Sequence, residues 1–194
     1  MMVAQFKRMA AWWCAVWLLV FLSACATPGR IGDGSDANAL DRTGRFALNV
    51  QHFGGERDAV QGGFAWHDDG RQLMLDLANP LGSTLARVQV LPGQAILTRS
   101  NGQQERAATP DDLLELVLGS PMPVAGLRDW LQGNVGQDQV SHLQKNEAGQ
   151  ISAFEQSGWR VQLSRYDQRG PRLLQLNRND SQRDISLRLV IDSE

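Results

Sequence analysis

Adjacent carboxylates and isolated histidines are the side chains of this sequence whose types could do acid/base or metal chemistry. Asp68/Asp69 and Asp111/Asp112 have the form of proton-transfer pairs. Their settings give each a local role instead: the first precedes Gly70 in a turn, and the second falls in the first turn of a predicted helix, where negative charge suits the dipole. Neither setting supplies the burial that tunes a carboxyl for proton transfer. His52, His67 and His142 lie far apart on polar or turn positions, with no second ligand at metal spacing. The sequence has no G-x-S-x-G elbow, no P-loop and no G-x-G-x-x-G opening a helix. It therefore offers no catalytic residue, no metal site and no cofactor site, and reads as a binder rather than an enzyme.

One thiol has a chemistry of its own. Lys7 and Arg8 precede an apolar run from Met9 to Leu22, too short for a comfortable membrane span and typical of a secretory signal. The run ends in Leu22-Ser23-Ala24-Cys25, which resembles the lipobox of bacterial lipoproteins, where the cysteine sulfur takes a diacylglycerol and the signal is cut before it. The alternative is a plain signal-peptidase site with a chance cysteine. Cys14 lies inside the signal, so Cys25 is the only cysteine of the mature chain, and a lone thiol in an oxidising compartment favours the lipidation reading. Acyl chains contribute about 0.8 kcal/mol per buried methylene, enough for two or three to hold a protein on a bilayer without a spanning helix. Residue +2 is Ala26, and the lack of an aspartate there points, by the same resemblance, to the outer membrane.

With residues 1–24 removed as signal, 17 basic and 21 acidic side chains remain. A mildly acidic chain without a basic block, and poor in aromatics, argues against nucleic acid as a partner. Residues 25–39 form the acylated cysteine and a Gly/Pro/Ser/Asp/Asn-rich tether, spanning roughly 20 Å on average as a flexible chain. Residues 40–194 are then a single domain.

Alternation dominates that domain: Phe46/Leu48/Val50, Val60/Phe64/Trp66, Leu73/Leu75/Leu77, Ala86/Val88/Val90 and Ala95/Leu97, then a short strand near Gln104–Ala107. It resumes at Val140–Leu143, Ile151–Phe154, Trp159/Val161/Leu163, Leu174/Leu176 and Ile185/Leu187/Leu189/Ile191. Pro92-Gly93 and Asn101-Gly102 supply turns. About eleven strands at this spacing predict a barrel or sandwich. Thr109 as N-cap, Pro110 and the two aspartates open a helix ended by Gly119, and a second spans Val124 to Gln132 with Leu127, Trp130 and Leu131 on one face and Gly133 as its stop. Helices plugging an incompletely closed antiparallel barrel are the economical arrangement.

Between two well-patterned strands lies Asn79-Pro80-Leu81-Gly82-Ser83-Thr84. Asn-Pro and Gly-Ser are turn formers, which sets Leu81 where the chain should be exposed. Leu81 either folds back onto the core, as most leucines do, or is an apolar tip meant for something greasy.

These residues together resemble the LolB family of outer-membrane lipoproteins. The resemblance rests on the lipobox, Gly63-Phe64-Ala65-Trp66, the stretch from Asn79 through Pro92-Gly93 to Asn101-Gly102-Gln103, and the helix Asp111–Gly119 with Pro121-Met122-Pro123. Leu127-Arg128-Asp129-Trp130-Leu131-Gln132-Gly133 extends it, and Trp159-Arg160-Val161 and Tyr166 carry it loosely into the last sixty residues. It implies an unclosed eleven-stranded β-barrel with helices at its mouth, enclosing an apolar cavity for acyl chains. It further implies that the protein accepts acylated lipoprotein cargo from a soluble periplasmic carrier of the LolA type and inserts it into outer-membrane lipid. Leu81, with Asn79, Pro80 and Gly82, matches the family's membrane-engaging loop. Strand and helix phase suggest Phe64, Trp66, Leu75, Leu77, Val88, Trp130 and Trp159 as cavity lining. An anchored lipoprotein that binds another amphiphile, or a non-enzymatic assembly subunit, is the alternative.

Overall fold

The computed structural model describes residues 39–118 and 124–193. The predicted signal, Cys25, the tether as far as Asn38, the Gly119 helix stop and Pro121-Met122-Pro123 lie outside them.

Eleven strands form one antiparallel sheet. The first meander is β1 (Leu40–His52), β2 (Arg57–Asp68), β3 (Leu73–Ala78), β4 (Thr84–Leu91), β5 (Gln94–Arg99) and β6 (Gln104–Ala107). Two helices follow, α1 (Pro110–Leu118) and α2 (Val124–Leu131). The second meander is β7 (Val140–Lys145), β8 (Ile151–Gln156), β9 (Trp159–Asp167), β10 (Gly170–Asn179) and β11 (Arg183–Ile191). Pairing of β1 with β11 joins the two, giving the order β6-β5-β4-β3-β2-β1-β11-β10-β9-β8-β7. β6 and β7 stand at opposite edges, so the sheet is unclosed, and the chain that connects these edges is the one carrying both helices. Helix α1 packs on β5 and β6, and α2 on β10.

Alternation in the sequence becomes burial on one face. Trp159, Val161 and Leu163 of β9 are buried while Arg160 and Gln162 between them are exposed. The ladder lines Leu48, Leu187, Leu176, Val161 and Phe154 into one apolar row across five strands. Side chains directly opposite each other are the unit of sheet stabilisation, and each fully buried aliphatic contributes about 1.5–3 kcal/mol. Leu127, Trp130 and Leu131 of α2 fill the same core, whereas Leu113 of α1 packs with Val88, Ala95 and Leu97 in a second cluster. Val60 shares the inward phase of β2 yet is exposed, because β3 pairs only with residues 63–68 and leaves the first half of β2 without that neighbour.

Two glycines set how closely the strands approach. Gly44 stands opposite Phe64, and Gly62 opposite Phe46. A Cβ on Gly62 would lie 1.8 Å from the Ala78 carbonyl oxygen, and one on Gly44 2.2 Å from that of Val190. The Phe rings instead lie over the glycines, 3.3 and 3.0 Å from those Cβ positions. Backbone cannot retreat as a side-chain tip can, so Gly62→Ala is expected to destabilise the domain by on the order of 3 kcal/mol, the upper range for overpacking. Urea denaturation reads this, and a loss under about 1 kcal/mol would mean that the strands shift to make room.

Candidate functional site

The β3–β4 hairpin is built around Asn79. Its side-chain Oδ1 accepts from the backbone N–H of Leu81 at 2.9 Å and of Ser83 at 3.0 Å, while its carbonyl oxygen accepts from the Gly82 N–H at 2.9 Å. The Asn79 N–H donates to the Ser83 carbonyl, closing the loop. Gly82, at φ +87°, takes the left-handed conformation that this closure needs and that a side chain resists. The turn leaves Leu81 nowhere to fold back: it is 92% exposed. Among the described residues it stands well above the next exposed large apolar side chains, Leu116, Phe53, Leu143 and Val60.

Four of the seven suggested lining residues, Phe64, Trp66, Trp130 and Trp159, lie in the main core cluster, and Leu75 and Leu77 pack against it. Val88 belongs to the α1 cluster, which Leu75 also touches, so β3 links the two. Trp130 is the centre of the helix-to-sheet contact. Its ring meets Phe154 edge-on, centroids 5.8 Å apart, and its indole N–H donates to Gln156 Oε1 at 2.9 Å. The Gln156 amide in turn donates to the Asp138 carbonyl at 2.8 Å, holding the segment that follows α2. Trp159 also borders a hollow of about 690 Å³ at the β8–β9 turn, whose other walls include Asp138, Glu155, Arg160 and Asn177.

Several polar groups that fix this interior escaped the sequence reading. Asp68 is not a surface turn residue like Asp69: it ends β2 on the inward face, is buried, and forms an ion pair with Arg128 of α2. Its phase with Phe64 and Trp66 was the available signal. Asp69 does stay exposed and accepts from the Arg71 and Gln72 backbone, each at 2.7 Å. Asp111 Oδ1 accepts from the Val124 N–H at 2.8 Å, so the first turn of α1 caps α2, and Thr109 caps α1 through the Asp112 N–H at 3.1 Å. The three histidines each face a surface carboxylate: His52 with Asp58, His67 with Asp41 and His142 with Glu155.

Arg42, on the concave face of β1, holds Asp167 at the end of β9 through Nη1 at 3.2 Å and Nη2 at 3.4 Å. Burial alone would raise the Asp167 carboxyl, but hydrogen bonds from Arg42 and from the Arg169 and Gly170 backbone, with the guanidinium charge, outweigh it and hold the group below the usual carboxylate range. A depressed folded-state pKa gives stability that is present above the ordinary carboxylate value and lost as pH falls through the folded one. Asp167→Asn is expected to cost on the order of 2–4 kcal/mol, because it strands a buried guanidinium, reduced because the Asp167 side chain keeps 32% of its surface in solvent. Urea midpoints across acidic pH check both points: the variant should be weaker at neutral pH and lose less on acidification than the wild type.

A model of the family described as outer membrane lipoprotein LolB matches residues 38–193. The outer-membrane lipoprotein LolB of Bordetella petrii is 49% identical over 180 residues, 92% of this chain and 90% of the relative. That of Bordetella pertussis is 49% identical over 175 residues, 90% and 88% of the two chains. That of Cupriavidus necator is 37% identical over 190 residues, 96% of each.

Proposed function

The chain belongs to the LolB family of outer-membrane lipoproteins, and from that membership we propose that it receives acylated lipoproteins from a soluble periplasmic carrier of the LolA type and delivers them into the outer membrane. The observation that carries this reading is the reach of the family match, which spans the whole described domain. The concave apolar face, with the seven side chains above, is where the cargo's acyl chains would lie, and α1 and α2 would yield to admit them. Cys25, acylated, anchors the protein, and the Leu81 tip reaches the bilayer on which the cargo is released. An acyl chain moving from carrier to receptor to bilayer exchanges one apolar environment for another, so small affinity differences set the direction and no covalent step is required.

One experiment tests anchor and transfer together. A carrier loaded with acylated lipoprotein is mixed with membranes bearing the wild-type chain or Cys25→Ala. Cargo is expected to move to the wild-type chain and on into the bilayer, whereas Cys25→Ala should fractionate with the soluble proteins while still stripping cargo from the carrier. Wild-type protein that takes no cargo overturns the reading, and Cys25→Ala that stays membrane-bound overturns the anchor.

A further inference from the structure

Arg42 of β1 and Trp66 of β2 stand directly opposite each other in the ladder, and both are buried in the concave face at 4% exposure. Arg42 gives its two terminal nitrogens to Asp167 and keeps Nε buried with no hydrogen-bond partner among the described residues. The indole Nε1 of Trp66 is in the same condition. Residues directly opposite in an antiparallel pair have Cβ atoms about 4.5–5.5 Å apart, so the two side chains start from neighbouring positions on one face. Trp66 belongs to the same apolar core cluster as Leu40, Leu73 and Leu127. Buried donors are paired in the great majority of cases, and two unpaired ones on residues opposite each other, on the face that would take acyl chains, call for an oxygen acceptor.

Charge decides which acceptor. Asp167 already neutralises the Arg42 guanidinium, so a phosphate would bring an uncompensated charge into a low-dielectric interior, whereas a carbonyl oxygen asks only for donors. We propose that Arg42 Nε–H and Trp66 Nε1–H together bind the ester or amide carbonyl oxygen at the head of a cargo acyl chain. This rests on the transfer function above and adds to it a polar stop that fixes how deeply the chain enters. Two residues beyond Trp66 on the same face, Asp68 is held by Arg128, which sets the stop beside α2. Trp66 pairs with Leu75, six residues before Leu81, so the head carbonyl is held roughly 20 Å along the strand from the hairpin tip.

The test compares two probes on the full chain in nanodiscs of ether-linked phospholipid, which carry no carboxylic ester carbonyl of their own. One probe is a lipopeptide with ester-linked palmitoyl chains carrying ¹³C carbonyls. The other is the same peptide with ether-linked hexadecyl chains. The wild type is expected to prefer the ester probe by roughly 5- to 10-fold, the contribution of one buried hydrogen bond. Trp66→Phe keeps an aromatic ring, loses the donor and should bring the ratio near one, and its thermal unfolding reports that the variant is folded. Arg42→Lys, which retains a charge for Asp167 but has no Nε–H, should act in the same direction. Isotope-edited infrared spectra should show the bound ester stretch at lower frequency in the wild type than in Trp66→Phe. An unchanged ratio in both variants, or equal loss of both probes, overturns the carbonyl site and leaves the transfer reading standing. Displacement of the ester probe by inorganic phosphate assigns the donors to an anion and also overturns it. A wild type that binds neither probe overturns both.

Discussion

Leu81→Glu is expected to leave the domain folded and able to accept cargo, and to abolish delivery into the bilayer. A fully exposed position tolerates a carboxylate in water, and the turn itself depends on the Asn79 side chain and on Gly82 rather than on the leucine. Burying one leucine in lipid contributes on the order of 1.5–3 kcal/mol, and a carboxylate at the same depth opposes entry. Loss of both terms slows insertion by at least about tenfold, taking 1.4 kcal/mol per decade. Three measurements on one variant decide it: thermal unfolding, carrier-to-receptor transfer and receptor-to-liposome transfer. A fall in all three would mean that Leu81 supports the fold, and unchanged delivery would mean that the hairpin does not reach lipid.

The largest expected loss of stability belongs to Trp130→Ala, at about 4–5 kcal/mol. Trp130 is fully buried, and truncation removes its packing against Phe154, opens a cavity between α2 and the sheet, and leaves Gln156 Oε1 without its donor. Denaturant unfolding gives the magnitude, and Trp130→Phe separates the parts: keeping a ring but not the N–H should cost about 1–3 kcal/mol. Because Gln156 also holds the Asp138 carbonyl, the segment after α2 should lose hydrogen-exchange protection in both variants, and protection equal to the wild type would detach that segment from Trp130.

Local patterning carried much of the fold. Phe46/Leu48/Val50 and Trp159/Val161/Leu163 read as half-buried strands because their period is two, and Thr109-Pro110-Asp111 read as a helix start because each residue answers a need of the first turn. The joint between the meanders could not be read this way, since the pairing of Phe46 with Leu189 joins residues that no local signal connects. The same holds for Arg42 and Asp167, 125 positions apart. Asp68 was legible in principle, but the neighbouring Asp69-Gly70 made the turn the stronger signal and hid its inward phase. Leu81 was undecidable from composition, because a leucine in a turn can point either way. The Asn79 side chain, which ties down the backbone on both sides of it, settles the direction. Phase alone marks the lining residues, and it distinguishes inside from outside but not a wall that parts from one that stays packed.

The girth of a closed barrel is fixed by its strand number and stagger, and widening it means tearing a ladder of hydrogen bonds. Between β6 and β7 there is no ladder to tear. Among the described residues, the packing of α1 on β5 and β6 and of α2 on β10, the contacts of Trp130 with Phe154 and Gln156, and the Asp68–Arg128 pair resist spreading of this seam. An interior with such a seam is free of the strand-number and stagger constraint that sets a closed barrel's circumference. Cargo with more or bulkier chains would then be met by a wider parting of the same seam.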